Sequence, residues 1–267
     1  MTKIDALKLL DIAREVAMEA GGTAASMRLA GISVEATKSS QIDIVTQADT
    51  AVESLIREKL GAIRPQDGFL GEESGIECGT SGITWVVDPI DGTVNYLYGS
   101  PNYAVSIAAT VIDAIGVRRA VAGCVFAPAL NAEYTAAIGH PALLNGKQIR
   151  VNQNVPLDRA LVATGFTYDL VKRERQKRTV AALVPHIRDF RMIGTASLDI
   201  CAVAAGTVDA HYMRGLPIWD YAAAALIATQ AGAKVGGLDN TPPSEELILV
   251  ANPELTEALV PFLQHTG

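Results

Sequence analysis

The sequence predicts a layered α+β fold built around antiparallel strands. In the first half, apolar strand candidates at residues 83–87, 103–111, 117–126 and 132–138 follow one another closely. Asn145-Gly146 then marks a two-residue hairpin turn. The second half mixes helices with strands, a pattern that also favours α+β layers. No repeat, linker or low-complexity tract divides the 267 residues. We therefore expect one catalytic domain over 1–267, with halves of about 1–145 and 146–267.

The first half begins with two predicted helices. The first covers residues 4–20, with Thr2 and Asp5 as its cap and Gly21-Gly22 as its end. The second follows Asp49, where Thr50 and Glu53 form a T-x-x-E capping box, and it ends at Gly61. Residues 68–82 are rich in Gly, Glu and Ser, so they are predicted to form a loop.

The second half is predicted to contribute both element types. Strands are expected at residues 161–166, 209–213 and 247–251. Helices are expected at residues 168–184, 197–205, 219–231 and 254–263.

Composition excludes several classes of protein. Hydrophobic residues make up 49% of the chain, enough for a large core. The net charge of −7 argues against a nucleic-acid-binding protein, and the basic run at 172–178 is interpreted as a solvated helix face. No apolar run is long enough to span a membrane, so no membrane partner is expected.

Cysteine usage and the N-terminus indicate a cytoplasmic protein. Cys78, Cys124 and Cys201 are widely spaced and odd in number, which argues against a disulfide framework or a zinc site. The N-terminal segment carries acidic residues at helical spacing and therefore does not resemble a signal peptide.

Acidic residues stand at four places in the chain: Asp49, Glu72-Glu73, the pair Asp88 and Asp91, and Asp220. Most have an ordinary alternative explanation. Asp49 could cap a helix, Glu73 could be a solvated loop charge, and Asp220 could favour the positive end of its helix.

The segment WVVDPIDGT is harder to explain without a cation. Asp88 and Asp91 follow an apolar strand with Pro89 between them, and two carboxylates this close repel each other unless a cation neutralises them. The spacing fits neither an EF-hand loop nor a D-x-D phosphotransferase. Oxygen ligands without nearby His or Cys select Mg²⁺ or Mn²⁺.

Gly92-Thr93-Val94 follows directly, and Thr93 is predicted to be a helix N-cap. Backbone amides at such a helix start bind phosphate. Carboxylate-bound metal beside an amide cradle is the arrangement that phosphate ester hydrolysis requires.

Five blocks of the sequence, including these acidic motifs, resemble those of a known family. The blocks KSSQIDIVTQAD, GEES, WVVDPIDGTVNYLYGSPNYAVSIA, GTASLDICAVAAGTVDA and WDYAAAALIATQAGAKV are similar to motifs of the inositol monophosphatases, in the same order, over residues 38–250. The resemblance implies a five-layered αβαβα sandwich and a homodimer. It also implies a Mg²⁺-dependent, Li⁺-sensitive phosphatase.

The resemblance also implies roles for single residues. Glu72, Asp88 and the carbonyl of Ile90 would hold a first Mg²⁺, and Asp88, Asp91 and Asp220 a second. A third, weaker ion would lie at Glu72, helped by Asp49 through water. The residues implied to act on water are Asp49, Thr93 and Glu72, with Lys38 near this network. Those implied to contact substrate are Asp91, Gly92, Thr93, Gly194, Thr195, Ala196 and Asp220.

One position departs from the family. Many inositol-cleaving members carry a glutamate where this chain has Met213, and a thioether is a weak hydrogen-bond acceptor. Arg214 should face the opposite side of the strand, whereas His211 shares the face of Met213 and could contribute to specificity. Met213 could equally well be a packing residue.

We therefore expect hydrolysis of a small phosphorylated polyol, with myo-inositol 1-phosphate as the first candidate. Histidinol phosphate, fructose 1,6-bisphosphate and an adenosine bisphosphate are alternatives on the same fold. The family's histidinol phosphatases often read DGTK, whereas this chain reads DGTV. A regulatory binding protein is the alternative from another class.

Overall fold

A computed structural model of the protein describes residues 5–31, 34–37 and 44–265. Within them the helices are α1 (Ala6–Ala30), α2 (Gln47–Ile63), α3 (Thr93–Leu97), α4 (Leu170–Leu183), α5 (Ala196–Ala204), α6 (Ile218–Gln230) and α7 (Pro253–His265). The first strands are β1 (Val34–Thr37), β2 (Ile44–Thr46), β3 (Gly68–Gly71), β4 (Gly75–Glu77) and β5 (Thr84–Asp91). The next are β6 (Ala104–Ile112), β7 (Arg118–Ala127), β8 (Ala132–Ala137), β9 (Leu143–Leu144) and β10 (Lys147–Gln148). The last are β11 (Leu161–Ala163), β12 (Asp189–Arg191), β13 (Ala210–Met213), β14 (Lys234–Gly236) and β15 (Ile248–Ala251).

The strands of the first half form a large sheet in the order β10-β9-β8-β7-β6-β5-β3-β4. Each neighbouring pair from β5 to β10 is antiparallel, which confirms the antiparallel arrangement predicted for this half. The hairpin at Asn145-Gly146 is also confirmed. Both residues have positive φ, as the turn requires, and they join β9 to β10.

The strands of the second half form a smaller sheet in the order β12-β11-β13-β15-β14. It is mixed, because β11 runs parallel to β12 and β13 while β15 runs antiparallel to β13 and β14. Strands β12 and β14 were not predicted from the sequence. Each has three residues, and neither shows the apolar alternation by which a strand is recognised.

Helices cover both faces of both sheets and produce five layers. Helices α1 and α2 pack on the outer face of the large sheet, and α5 and α6 lie between the two sheets. Helices α4 and α7 contact each other, and α7 packs on β15 of the smaller sheet. The predicted αβαβα sandwich is thereby confirmed. Among the described residues, no helix combines the length and the apolar character needed to cross a membrane.

The predicted end of the first helix is wrong, because α1 continues through Gly21-Gly22 to Ala30. A Cβ atom at Gly21 would lie 2.6 Å from Cδ1 of Phe126 on β7. Glycine at this position lets the helix approach the sheet closely rather than ending it. Asp5 caps the helix by accepting a hydrogen bond from the Lys8 amide, while Thr2 lies outside the described residues.

The predicted start of the second helix is also wrong, since α2 begins at Gln47 with Thr46 as its N-cap. The capping box is formed by Thr46 and Asp49, not by Thr50 and Glu53. The helix then continues past Gly61 to Ile63.

Residues 68–82 are not simply a loop, because they contain β3 and β4. Strand β3 pairs in parallel with β5 and buries Phe69. The glycines and acids on either side concealed this short apolar core.

Candidate active site

A bulge at the end of β5 brings Asp88 and Asp91 onto one face of the large sheet. Asp88 pairs with Ser106 and Asp91 with Ala104, so three residue steps on β5 match two on β6. In a regular strand, residues three apart would point to opposite faces. The extra residue corrects this, and both carboxylates face the central helix layer. Both side chains are buried.

Glu72 lies beside Asp88 because β3 runs parallel to β5. Gly71 is in register with Val87, and the Glu72 amide donates to the Val87 carbonyl at 3.2 Å. Burial raises the pKa of Asp88 well above its ordinary value, and the charges of Glu72, Asp91 and Asp220 raise it further. A hydrogen bond between Asp88 and Glu72 acts in the same direction. The four acids therefore form one electrostatic cluster.

Asp91 is anchored by the first turn of α5. It accepts hydrogen bonds from the amides of Ser197 at 2.7 Å and Ala196 at 3.3 Å, and from the Ser197 hydroxyl. Burial raises the pKa of Asp91 to about 6, although these bonds act in the opposite direction. Ser197 was not predicted from the sequence, although its position at the start of a predicted helix was an available signal.

A further buried acid, Asp199, lies on the same helix. Burial, assisted by the charge of Asp91, raises the pKa of Asp199 to about 8. A carboxyl group with this pKa is mostly protonated at pH 7, so it adds little negative charge to the cluster. The sequence analysis did not single out this residue.

Asp220 lies in the first turn of α6 and is half-buried. Its charge contributes to the raised pKa of Asp88, which brings it electrostatically into the cluster on β5. The helix N-terminus also favours a carboxylate here, so the ordinary explanation and the functional one are compatible.

Thr93 is the first residue of α3 and not its cap, which corrects the predicted N-cap. Gly92 occupies that position with a φ of 92°, a conformation that favours glycine. The Thr93 hydroxyl is placed to donate to Oδ1 of Asp49 and to the Ile90 carbonyl, both at 3.1 Å. Asp49 is fully buried, and its Oδ2 accepts from the amide and hydroxyl of Thr46. Asp49 is therefore both a member of the capping box of α2 and a candidate active-site carboxylate.

The segment 194–196 approaches Gly92 closely. A Cβ atom at Gly92 would lie 2.7 Å from Oγ1 of Thr195 and 3.3 Å from the Gly194 carbonyl. The Thr195 hydroxyl donates to the Asn102 carbonyl at 2.7 Å, and Thr195 is buried. The fold therefore brings the two groups of predicted substrate residues together, but the hydroxyl of Thr195 is already engaged inside the protein.

Glu53 holds the turn that follows β3. Its two carboxylate oxygens accept hydrogen bonds from the amides of Glu73 and Ser74, both at 2.8 Å. The side chain is buried, and a Cβ atom at Gly71 would collide with it. Glu53 thus fixes the backbone directly after Glu72. From the sequence, Glu53 was predicted to cap a helix instead.

The side chains on β13 differ in character from the acid cluster. Met213 is half-buried, and its Sδ would lie 3.1 Å from a Cβ atom at Gly165. His211 is fully buried without a hydrogen bond among the described residues, and burial lowers its pKa to about 3. It therefore lies in the core rather than on a surface that a substrate could reach. Arg214 pairs with Glu246 and donates to the Leu263 carbonyl, as expected for a residue facing the outer layer.

The donor set has the chemistry of a Mg²⁺ site, since it consists of carboxylates and a backbone carbonyl. Within residues 5–31, 34–37 and 44–265, however, no three acidic, histidine or cysteine side chains converge in a metal-binding arrangement. Asp88 is hydrogen-bonded to Glu72, and Asp91 is turned towards Ser197. Lys38, predicted to lie near this site, is outside the described residues.

The chain is similar to known proteins along nearly its whole length. Residues 5–266 match the model of the inositol monophosphatase family. An inositol-1-monophosphatase of Mycobacterium bovis is 44% identical over 239 residues, which cover 85% of this chain and 80% of that protein. The Nus factor SuhB of Vibrio cholerae is 33% identical over 97% of both chains. The crystal structure of extragenic suppressor protein suhB from Bartonella henselae superimposes with a TM-score of 0.88 at 31% identity, covering 96% of this chain and 98% of that one.

Proposed function

The chain belongs to the inositol monophosphatase family and is a phosphoric monoester hydrolase, and from this premise we propose that it hydrolyses a small phosphorylated polyol with Mg²⁺ as its cofactor. Myo-inositol 1-phosphate is the proposed substrate, and inositol and phosphate are the products. The observation that supports this proposal most strongly is the cluster of Asp88 with Glu72, Asp91 and Asp220 beside the turn at Gly92. A buried group of acids is stable at neutral pH only if cations or protons neutralise it.

The proposed Mg²⁺ ligands are those that the family resemblance implies. Glu72, Asp88 and the Ile90 carbonyl would hold one ion, and Asp88, Asp91 and Asp220 a second. Glu72 and Asp49, through water, would hold a third and weaker ion. When bound, Mg²⁺ polarises phosphoryl oxygens and stabilises negative charge on the leaving oxygen.

Thr93 and Asp49 are proposed to orient the attacking water and remove its proton. The Thr93 hydroxyl would accept a proton from water while passing its own to Oδ1 of Asp49, which lies 3.1 Å away. Two hydrogen bonds from Thr46 keep Asp49 in place for this transfer. The water oxygen bonds to phosphorus, the ester P–O bond breaks, and the departing alcohol oxygen takes up a proton from solvent water, to which Asp49 returns the proton that it received. The amides of Gly92 and Thr93 would donate to the phosphate.

The alcohol would lie against Gly194, Thr195 and Ala196, with Met213 as the candidate specificity residue. No carboxylate occupies position 213 to bind a polyol hydroxyl. Histidinol phosphate, fructose 1,6-bisphosphate and an adenosine bisphosphate therefore stay as alternative substrates.

The test is phosphate release from myo-inositol 1-phosphate and the alternative esters, with Mg²⁺ and with excess EDTA. We expect turnover with Mg²⁺ and its loss on chelation. Full activity in excess EDTA would exclude the proposed cofactor. Inhibition by Li⁺ in the millimolar range is expected from the family resemblance, and activity unaffected by such Li⁺ would argue against it.

A regulatory protein of the same fold is the second candidate function. The relative from Vibrio cholerae, named Nus factor SuhB and similar over 97% of both chains, supports this candidate. Turnover distinguishes the two, because a protein that only regulates would release no phosphate from any of these esters.

Two further proposals concern the assembly and location of the protein. We propose a homodimer on the basis of the family resemblance, and its mass in solution tests this. A cytoplasmic location fits the three free cysteines, Cys78, Cys124 and Cys201. Cell fractionation tests that location.

A further inference from the structure

We propose that Asn95 is a positioning residue that fixes the alcohol side of the site against the phosphate side. Asn95 is the third residue of α3, directly after the turn at Gly92-Thr93. Its Nδ2 donates to the Asn102 carbonyl at 2.8 Å and to the Ile193 carbonyl at 2.6 Å. A side-chain amide has two N–H hydrogens, so one group joins two segments that are about ninety residues apart in sequence. The inference rests on the proposed function, because that function defines the two sides.

Thr195 and Gly194 make further contacts between the same two segments. The Thr195 hydroxyl donates to the Asn102 carbonyl and lies 3.3 Å from Nδ2 of Asn95. Gly194, which has a φ of 81°, passes so near that its Cβ atom would lie 3.1 Å from Nδ2 of Asn95. We name Asn95, Thr195 and the carbonyls of Asn102 and Ile193 the asparagine clasp.

The loop that carries Asn102 is held from the opposite side by α1. Arg28 donates from Nη2 to the Ser100 carbonyl at 2.7 Å, and its guanidinium lies 4.9 Å from the centre of the Tyr103 ring. The Tyr96 hydroxyl donates to the Ala24 carbonyl at 2.7 Å, which ties α3 to the same helix. Both α3 and the loop are therefore fixed to α1 independently of the clasp.

The segment 192–195 has fewer attachments of this kind. It connects β12, which ends at Arg191, to α5, which begins at Ala196. Loss of the Asn95 side chain leaves the Thr195–Asn102 bond and the bonds from Ala196 and Ser197 to Asp91 in place, but it removes the hydrogen bond to the Ile193 carbonyl. Residues 192–194 should therefore shift, while the turn at Gly92-Thr93 stays in place. A shift of this segment should change the binding of two ligands to different degrees. A phosphate ester touches both sides of the proposed site, whereas inorganic phosphate touches only the phosphate side.

The experiment compares Asn95→Ala and Asn95→Asp with the full-length wild type in the presence of Mg²⁺. KM and kcat are measured for myo-inositol 1-phosphate, and inorganic phosphate is measured as an inhibitor. We expect kcat/KM for the ester to fall roughly tenfold in Asn95→Ala, since two hydrogen bonds are lost. The inhibition constant of phosphate should change by less than about twofold, since phosphate makes no contact with the displaced segment. Asn95→Asp should lose more, because a carboxylate facing two carbonyl oxygens is repelled by both.

Asn252→Ala is the matched control. Asn252 is a buried asparagine whose Nδ2, like that of the half-buried Asn95, donates to a backbone carbonyl of a distant segment, that of Asn152 at 3.0 Å. Asn252 lies outside the proposed site. Asn252→Ala should therefore lower the melting temperature without changing the ratio of the KM for the ester to the inhibition constant of phosphate.

Amide hydrogen exchange provides a measurement that needs no turnover. Peptides covering residues 192–200 should exchange faster in Asn95→Ala than in the wild type, and no faster in Asn252→Ala. Equal changes in ester KM and phosphate inhibition constant, or unchanged exchange at 192–200, would overturn the positioning role. A wild type that cleaves no ester would instead refute the proposed function, and the exchange result would still decide whether the clasp fixes this segment.

Discussion

The phosphate side and the alcohol side of the proposed site are built in different ways. On the phosphate side, nearly every polar group is held by another: Asp91 by Ser197, Asp49 by Thr46, and the turn after Glu72 by Glu53. On the β13 part of the alcohol side, Met213 lies over Gly165, and the neighbouring His211 is buried in the core with no hydrogen bond among the described residues. This part is fixed mainly by packing, whereas the phosphate side and the segment 192–195 that faces it are fixed by directional bonds.

This difference bears on how the chemistry and its specificity evolve. A hydrogen-bonded carboxylate cannot be replaced without leaving its donors unpaired, so the phosphate side tolerates little change. A packed apolar side chain can be exchanged for another of similar volume at small cost. We therefore expect the reaction type to be fixed and the preference for the alcohol to be adjustable.

The largest expected effect comes from removing a charge on the phosphate side. Asp220→Asn and Asp91→Asn should each lower kcat by a factor on the order of 10² or more, because metal stabilisation of the leaving oxygen supplies several kcal/mol. Steady-state phosphate release in Mg²⁺ measures this. Asp158→Asn is the control, since Asp158 is exposed and forms no hydrogen bond through its side chain to a described residue.

The effects of the two substitutions on stability should be small. Either substitution relieves repulsion within the acid cluster. Asp91→Asn also places an amide nitrogen or a weaker acceptor against the donors of Ala196 and Ser197, which opposes that gain. We expect small changes in Tm for both, and near-wild-type turnover in either would show that the assigned cluster is not the site.

The phosphate side was also the part for which the sequence carried the clearest signal. Asp88, Asp91 and Gly92 stand in one short motif, and the chemistry of paired acids is visible without a fold. Ser197 and Glu53 were missed as supports because their partners lie 106 and 20 residues away. The predicted end of α1 was wrong for the same reason, because the passage of the helix through Gly21 depends on contact with Phe126, which is distant in sequence. Strand β3 was missed because pairing with β5 and β4 and burial of Phe69 define it rather than alternation.

On the alcohol side, Met213→Glu tests whether position 213 contacts the substrate. If it does, the new carboxylate should shift preference towards myo-inositol 1-phosphate over glycerol 2-phosphate by roughly 1–3 kcal/mol, the range for a charge-assisted hydrogen bond. The measurements are the ratio of kcat/KM values and Tm. An unchanged ratio in a stable variant would refute the contact. A lower Tm would indicate that Met213 is a packing residue, since a buried unpaired carboxylate is costly.

A smaller effect concerns His211 and the stability of the core. The unfolded chain binds a proton at this imidazole below about pH 6.5, whereas the folded protein does so only near pH 3, so stability falls as pH drops through this range. At pH 5 His211 alone should contribute a loss of about 2 kcal/mol relative to neutral pH, and the raised pKa values of Asp91 and Asp199 oppose this loss equally in the wild type and the variant. His211→Leu should remove the contribution of His211. Urea unfolding of the metal-free protein at pH 7 and pH 5 measures the difference, and parallel losses in both proteins would contradict a buried neutral imidazole.

The most direct test of the contrast between the two sides is the spread of kcat/KM across phosphate monoesters in Mg²⁺. The panel contains myo-inositol 1-phosphate, glycerol 2-phosphate, histidinol phosphate and fructose 1,6-bisphosphate. A phosphate side that supplies most of the binding, with no directed hydrogen bond at Met213, predicts values within about one order of magnitude of each other, all abolished by EDTA. A preference of more than about 10³ for one ester would contradict this, because selectivity of that size requires hydrogen bonds to the alcohol that the account does not provide.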